Sequence, residues 1–263
     1  MTPPRVYQTE AIIIKRTKLG EADRILTLYT PDLGKIKAVA KGTRRPKSKL
    51  GGHVELLTHS LLMLARGRNL DIITQAQAID SFLPLKDDLE RTSYGLYISE
   101  LVDSFTAENI ENRRLFSLFL DTLHQLSQTR DGEPVLRYFE LHVLDHLGYR
   151  PRLQQCASCG SPLQPIANFF SSSQGGALCH DCGYQEPIAR PLSLTALKVL
   201  RLWQNCDYAT ASRVRINPHL SSELEQVLRE YIKYLLERQL KSTAWLDELK
   251  QETPKRQILA TEP

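Results

Sequence analysis

Two cysteine knuckles constrain this chain more than any other pattern in it: Cys156-Ala157-Ser158-Cys159-Gly160 and Cys179-His180-Asp181-Cys182-Gly183, with nineteen residues between Cys159 and Cys179. Each Cys-x-x-Cys-Gly turn aims two thiolates at one point, with Gly160 and Gly183 available for the tight backbone, so four sulfurs can complete a tetrahedron around one zinc ion. A catalytic zinc keeps a position open for water, so this closed set points to a structural ion. A lone Cys-x-x-Cys is compatible with a redox pair, and four unligated thiols are the plain alternative; two knuckles at ribbon spacing read as zinc. His180, inside the second knuckle, is a substitute ligand, although Cys179 and Cys182 already have the right spacing.

The remaining cysteine, Cys206, has no partner and reads as a small core residue, so a disulfide framework is not expected. Thiolates kept for zinc imply a reducing compartment, the cytoplasm. With 263 residues, 41% hydrophobic and 24% charged, the chain has ordinary globular composition and length for two or three compact units. No apolar run approaches the roughly 18 residues of a membrane span. Met1-Thr2-Pro3-Pro4-Arg5 leads directly into a strand-like pattern rather than a signal peptide, so a soluble protein is expected.

Charge is uneven. Residues 1–80 hold 14 Lys or Arg against 7 Asp or Glu, hence +7, while the rest hold 20 against 23, hence −3, which returns the total of +4. A basic front half suggests a module that binds a polyanion. Its pattern is a series of short strands: Gln8–Arg16, Arg24–Thr30 after the turn Leu19-Gly20-Glu21-Ala22-Asp23, and Lys35–Lys41 after the turn Pro31-Asp32-Leu33-Gly34. A fourth is expected over about His53–Ala65, and, after Gly67-Arg68-Asn69, a fifth over Leu70–Ile79. Five short strands without a convincing helix fit a small closed barrel of the oligonucleotide-binding (OB) type, with an SH3-like barrel as the competing topology.

Lys35, Lys37, Lys41, Arg44, Arg45, Lys47 and Lys49 occur with no acidic residue from Leu33 to Val54. Period-two alternation places Lys35, Lys37 and Lys41 on one strand face, and Gly42, Pro46, Gly51 and Gly52 are expected to keep the following loop mobile enough to track a sugar-phosphate backbone. Arg66 and Arg68 extend the patch or stand as isolated surface charges. Tyr29 is the only aromatic nearby, so binding is expected to rest on phosphates and depend strongly on salt. The plain reading is a solvated charged loop.

From Leu85 the period becomes helical, with Leu89, Leu96, Leu101, Val102 and Phe105; Arg113–Leu126 and a segment opened by Pro134 and closed by Gly148 follow. Within the latter, His142 and His146 share a face but lack the His-Glu-x-x-His arrangement, so they read as ordinary histidines. After the knuckles, Ser193 caps a helix through Leu194, Leu197, Leu200 and Leu202, and Pro218–Leu240 forms a longer one. The expected class is therefore α+β and multidomain: a five-stranded barrel over 1–80, a helical domain in two parts over 81–150 and 191–250, an inserted four-cysteine zinc ribbon over 151–190, and a frayed tail over 251–263. Zinc pins an insertion too poor in apolar residues to order itself.

Taken in order, Thr9-Glu10-Ala11-Ile12-Ile13, Leu19-Gly20-Glu21-Ala22-Asp23-Arg24, Lys41-Gly42-Thr43-Arg44-Arg45-Pro46-Lys47-Ser48, the two knuckles, and Glu237-Arg238-Gln239-Leu240-Lys241-Ser242 make a chain that resembles the RecO family of bacterial recombination mediators. The resemblance covers nearly the whole chain. It implies an OB-type barrel, binding of single- and double-stranded DNA, annealing of complementary strands, and help in loading the RecA recombinase onto DNA covered by single-strand binding protein, within the RecF pathway of DNA repair. It further implies RecR and the acidic C-terminal tail of single-strand binding protein as partners, RecA as an indirect one, no membrane, and a bacterial cytoplasmic, nucleoid-associated location. Some family members have lost the cysteines; this chain keeps Cys156, Cys159, Cys179 and Cys182.

No Gly-x-x-x-x-Gly-Lys-Ser/Thr loop and no nucleophile-plus-base set are found, so no enzymatic activity is expected. Two rival classes stand beside the mediator: a zinc-dependent nucleic-acid enzyme, which needs a free coordination position, and a zinc-stabilised adaptor whose basic barrel binds acidic peptides.

Overall fold

The first strand is long because it serves two partners. β1 (Val6–Leu19) pairs antiparallel with β4 (His59–Ala65) from Val6 opposite Ala65 to Ile12 opposite His59, and with β2 (Asp23–Thr30) from Ile12 opposite Tyr29 to Leu19 opposite Asp23. A register shift between Ile13 and Lys15 bends it just past the change of partner. β2 continues antiparallel into β3 (Gly34–Ala40), and β4 into β5 (Asp71–Asp80). A parallel contact, Ala38 opposite Asp71 and Val39 opposite Ile72, closes the barrel in the order β1-β2-β3-β5-β4. The chain before β4 contains a single turn of 3-10 helix at Gly51–Val54, so the fourth strand begins at His59 rather than near His53.

The structure is a computed structural model that describes residues 5–249; the tail expected over 251–263 lies outside the described residues. Those residues form two compact units, one of 5–129 with 241–249 and the other of 130–240.

In the first unit Ala11, Ile13, Leu26, Leu28, Ala38 and Leu62 fill the barrel. Ile12, Tyr29 and His59 point the other way and are also buried, because helices cover that face. Helices α1 (Leu83–Lys86), α2 (Leu89–Phe105) and α3 (Arg113–Gln128) follow the barrel in this unit. From α3, Phe116 and Phe119 each lie 6.4 Å from the Tyr29 ring, and Phe116 lies 5.9 Å from His59. The run Ile12-Ile13-Ile14 thus has both faces buried, which is why it does not alternate with polar residues. Of the segment expected as the first helical part, α2 and α3 belong with the barrel. Gly34 permits a close crossing: it has φ +63°, and a Cβ there would sit 1.9 Å from the carbonyl oxygen of Ile110. Residues 241–249 are helical, and Glu100 on α2 accepts from the backbone N–H groups of Lys241 and Ser242 at 2.9 and 2.8 Å.

The second unit is built on three helices. α4 (Glu133–His146) and α6 (Leu194–Trp203) both pack on α8 (Pro218–Leu236), burying Phe139, Leu200, Trp203, Leu224 and Leu228. Ser193 caps α6 as expected, its hydroxyl oxygen accepting from the Ala196 N–H at 3.1 Å. Between α4 and α6 lie a sheet of order β7-β6-β8, from Asn168–Ser171 (β6), Gly176–Leu178 (β7) and Arg190–Leu192 (β8), and the short α5 (His180–Gln185). The short α7 (Tyr208–Ala211) precedes α8; its Ala211 carbonyl accepts from Trp203 Nε1 at 3.2 Å. Cys206 is half-buried in the turn after α6 rather than in the core, and its carbonyl accepts from the Tyr138 hydroxyl at 3.1 Å.

Candidate metal centre and nucleic-acid interface

The first knuckle is a loop tied to the edge of β7: the Ala157 N–H donates to the Ala177 carbonyl and the Ala177 N–H to the Arg152 carbonyl, both at 2.8 Å. Its turn closes through Gly160, at φ +75°, whose N–H reaches the Cys156 carbonyl at 2.9 Å. The second knuckle is the first turn of α5, entered directly from β7, with Cys179 at the N-cap. Gly183 has no left-handed backbone to relieve; it is required because a Cβ there would lie 2.1 Å from the Phe169 ring.

These elements bring the Sγ atoms of Cys156, Cys159, Cys179 and Cys182 within 4.8 Å of one another, with Cys159 and Cys179 at 3.8 Å. Sulfurs held at about 2.3 Å from a tetrahedral zinc would stand about 3.8 Å apart, so the donor set fits a metal ion of that size and softness. The thiols feel their crowding. The Ser161 hydroxyl and N–H hold Cys159 down at about 6, while the Cys182 thiol, donating toward the Cys179 and Cys159 sulfurs, is pushed up to about 12. Four thiolates this close repel one another, and a cation at their centre removes the repulsion.

His180 is not part of the set: its ring lies 4.5 Å from Tyr184 and 6.3 Å from Phe169. His142 is likewise committed elsewhere, with Nε2 2.9 Å from the Trp203 carbonyl and its ring 4.1 Å from Tyr138. Burial pushes its pKa below the ordinary 6.5.

The nine cations singled out on the barrel do not form one surface. Lys35 and Lys37 do share the outer face of β3, but Lys35 is buried, its Nζ donating to the Asp103 carbonyl at 2.6 Å and to Asp103 Oδ1 at 3.0 Å. Lys37 pairs with Glu108 at 2.5 Å, and that bond raises its pKa. Sequence reading missed this because the acids that neutralise the strand, Asp103 at the end of α2 and Glu108 in the segment just after it, lie some seventy residues on.

The loop after β3 differs. Lys41, Arg45, Lys47 and Lys49 are exposed and have no ion pair among the described residues; Arg44, also exposed, lends one nitrogen to the Gly20 carbonyl at 3.3 Å. Hydrogen-bonded turns shape this loop: Arg45 N–H to the Gly42 carbonyl, Ser48 N–H to that of Arg45, and Gly42 N–H to Asp23 Oδ1 at 2.7 Å. The Arg44 N–H bonds the Ala22 carbonyl at 3.0 Å, setting the loop against the β1–β2 turn. Arg66 and Arg68 lie on the β4–β5 turn, toward the opposite end of β3. There Arg66 stands over the Tyr7 ring at 5.1 Å and lines, with Lys37, Asn69 and Asp71, a cavity of about 280 Å³.

Comparison with known proteins settles the family. Residues 1–82 match the model for the recombination protein O N terminal, and residues 86–244 that for the recombination protein O C terminal. The chain belongs to the RecO family. A DNA repair protein RecO of Roseiflexus is 48% identical over 94% of this chain and 87% of its own length. One of Dehalococcoides mccartyi is 43% identical over 95% of this chain and 98% of its own, and one of Pelotomaculum thermopropionicum 39% over 92% and 94%. These matches span the barrel and the cysteine-bearing unit alike, so both are part of the RecO chain. No helix among the described residues is long and apolar enough to cross a membrane.

Proposed function

We propose that this chain is a DNA-binding recombination mediator in DNA repair, acting without enzymatic turnover. In this reading the barrel is an OB-type fold, supported by its strand order and by the single parallel contact between β3 and β5. It binds single- and double-stranded DNA through phosphates, anneals complementary strands, and helps load RecA onto DNA covered by single-strand binding protein, with RecR and the acidic tail of that protein as partners. A zinc ion held by Cys156, Cys159, Cys179 and Cys182 is structural: four sulfurs leave no position for water or substrate, and the ion's contribution is to fix the two knuckles.

The observation that carries the reading is the loop of Lys41, Arg44, Arg45, Lys47 and Lys49, which presents cations to solvent beside the β1–β2 turn in a chain of RecO ancestry. Lys35 and Lys37, committed to Asp103 and Glu108, shape the strand beneath it. Arg66 and Arg68 offer a second phosphate contact at the other end of β3. The experiment is fluorescence anisotropy of labelled single-stranded DNA with an Arg44→Ala, Arg45→Ala, Lys47→Ala triple variant. Weaker binding with a flatter salt dependence is expected; affinity and salt slope equal to those of the parent chain would remove the loop from the interface.

A further inference from the structure

The barrel closes along a short seam, and beside that seam it is open. Ala38 and Val39 of β3 pair with β5, opposite Asp71 and Ile72. Over the first half of β3 the neighbour is instead the segment after α2: Glu108 bridges Lys35, and the Asn109 N–H donates to the Lys35 carbonyl at 2.9 Å. Asn109 takes φ +62° there, a left-handed backbone that asparagine tolerates better than most residues. Between this segment and the β4–β5 turn lies the cavity of about 280 Å³ that Arg66 lines, near the lower end of small-molecule sites and so sized for one small ring system.

The charges in its wall cancel. Lys37 pairs with Glu108, and Asp71 accepts from the Tyr7 hydroxyl at 2.5 Å while Arg66 lies over the Tyr7 ring. Two cations face two anions, so the cavity does not select an anion. What it offers instead is two carboxamides: Asn69 and Asn109 are exposed, and neither side chain has a hydrogen-bond partner among the described residues. Ile36 and Leu70 add apolar surface beside them. A carboxamide presents a donor and an acceptor in one plane, which matches the edge of a nucleobase, adenine above all. Aromatic rings and guanidinium planes, here Tyr7 and Arg66, are the surfaces on which unpaired bases stack. On the same turn, Arg68 is exposed and has no ion pair among the described residues, which leaves it for the phosphate of the same nucleotide.

We propose that this cavity is a base-binding subsite, holding one unpaired adenine of a DNA strand whose phosphates lie on the barrel's free cations. The subsite rests on the reading of the barrel as a DNA-binding module, and adds to it a contact made through base chemistry rather than charge. An interface of phosphate contacts alone does not distinguish a strand with bases from one without; this cavity does.

The test is anisotropy of the full chain with fluorescein-labelled oligodeoxyadenylate and with an oligonucleotide of the same length whose sugars carry no bases, each across a salt series. The parent is expected to bind the adenylate about tenfold more tightly, the scale of one well-held base, with similar salt slopes because the phosphates are the same. Asn69→Ala combined with Asn109→Gly removes both carboxamides, glycine keeping the left-handed backbone, and should erase most of that preference while leaving the abasic affinity and the melting temperature as in the parent. Equal affinity of the parent for the two strands, with a steep salt slope, would overturn the subsite and leave phosphate binding standing; no binding of either strand would remove both. A preference for adenylate that survives in the double variant would place the base contacts elsewhere, and labelled adenosine monophosphate bound more tightly than the strand would assign the cavity to a free nucleotide. Either result overturns the subsite.

Discussion

Lys35 separates a structural from a phosphate-binding role for the barrel's strand cations. Its side chain is 10% exposed and that of its partner Asp103 27%. Asp103→Ala leaves the ammonium with the main-chain carbonyl but no counter-charge. Stranding a buried charge costs about 3–5 kcal/mol; the partial exposure of Asp103 and the surviving 2.6 Å bond to its carbonyl reduce this to about 2 kcal/mol. At ~2–4 °C per kcal/mol the melting temperature should fall by about 4–8 °C in calorimetry. Lys35→Met removes the cation and leaves Asp103 near Lys15 Nζ at 3.5 Å, so the loss should be about 1 kcal/mol or less. In anisotropy with single-stranded DNA, Lys35→Met should retain the affinity of the parent. A Lys35→Met variant that loses DNA affinity while Asp103→Ala melts normally would refute the assignment.

Simultaneous Cys156→Ser and Cys159→Ser should release the metal and lower the melting temperature by several degrees; unchanged metal content and melting would show the knuckles fold without an ion. Acid should weaken the second unit through His142. Burial holds its pKa below 6.5 in the folded chain, and His146 and Arg150 push the same way against the Trp203 carbonyl and Asp145. The unfolded chain therefore takes up the proton first, so this contribution is complete above 6.5 and is lost as pH falls below it. Calorimetry between about pH 7.5 and 5.5 should show a smaller acid loss for His142→Gln than for the parent; equal losses would place the acid sensitivity elsewhere.

Local signals were well placed in the sequence. Turn residues set the limits of β2 and β3, Ser193 caps the start of α6, Pro218 opens α8, and the cysteine spacing reports the cluster because each knuckle is a local turn. What stayed hidden is non-local. Nothing near Ile12-Ile13-Ile14 or Tyr29 tells that α3 covers the barrel's outer face, so α2 and α3 read as the start of a separate helical domain. Period two places Lys35 and Lys37 outward correctly, but whether an outward lysine meets solvent or Asp103 is decided by a segment far along the chain. The short β6, β7 and β8 have three or four residues each, too few for a periodic signal.

The most direct test is the affinity of the parent chain for labelled single-stranded DNA across a salt series. Five loop cations on phosphates should give a slope of log affinity against log salt of about −3.5, at roughly 0.7 per contact, or about a hundredfold loss from 50 to 200 mM salt. A slope near zero, or no binding at low salt, would contradict a phosphate-tracking barrel.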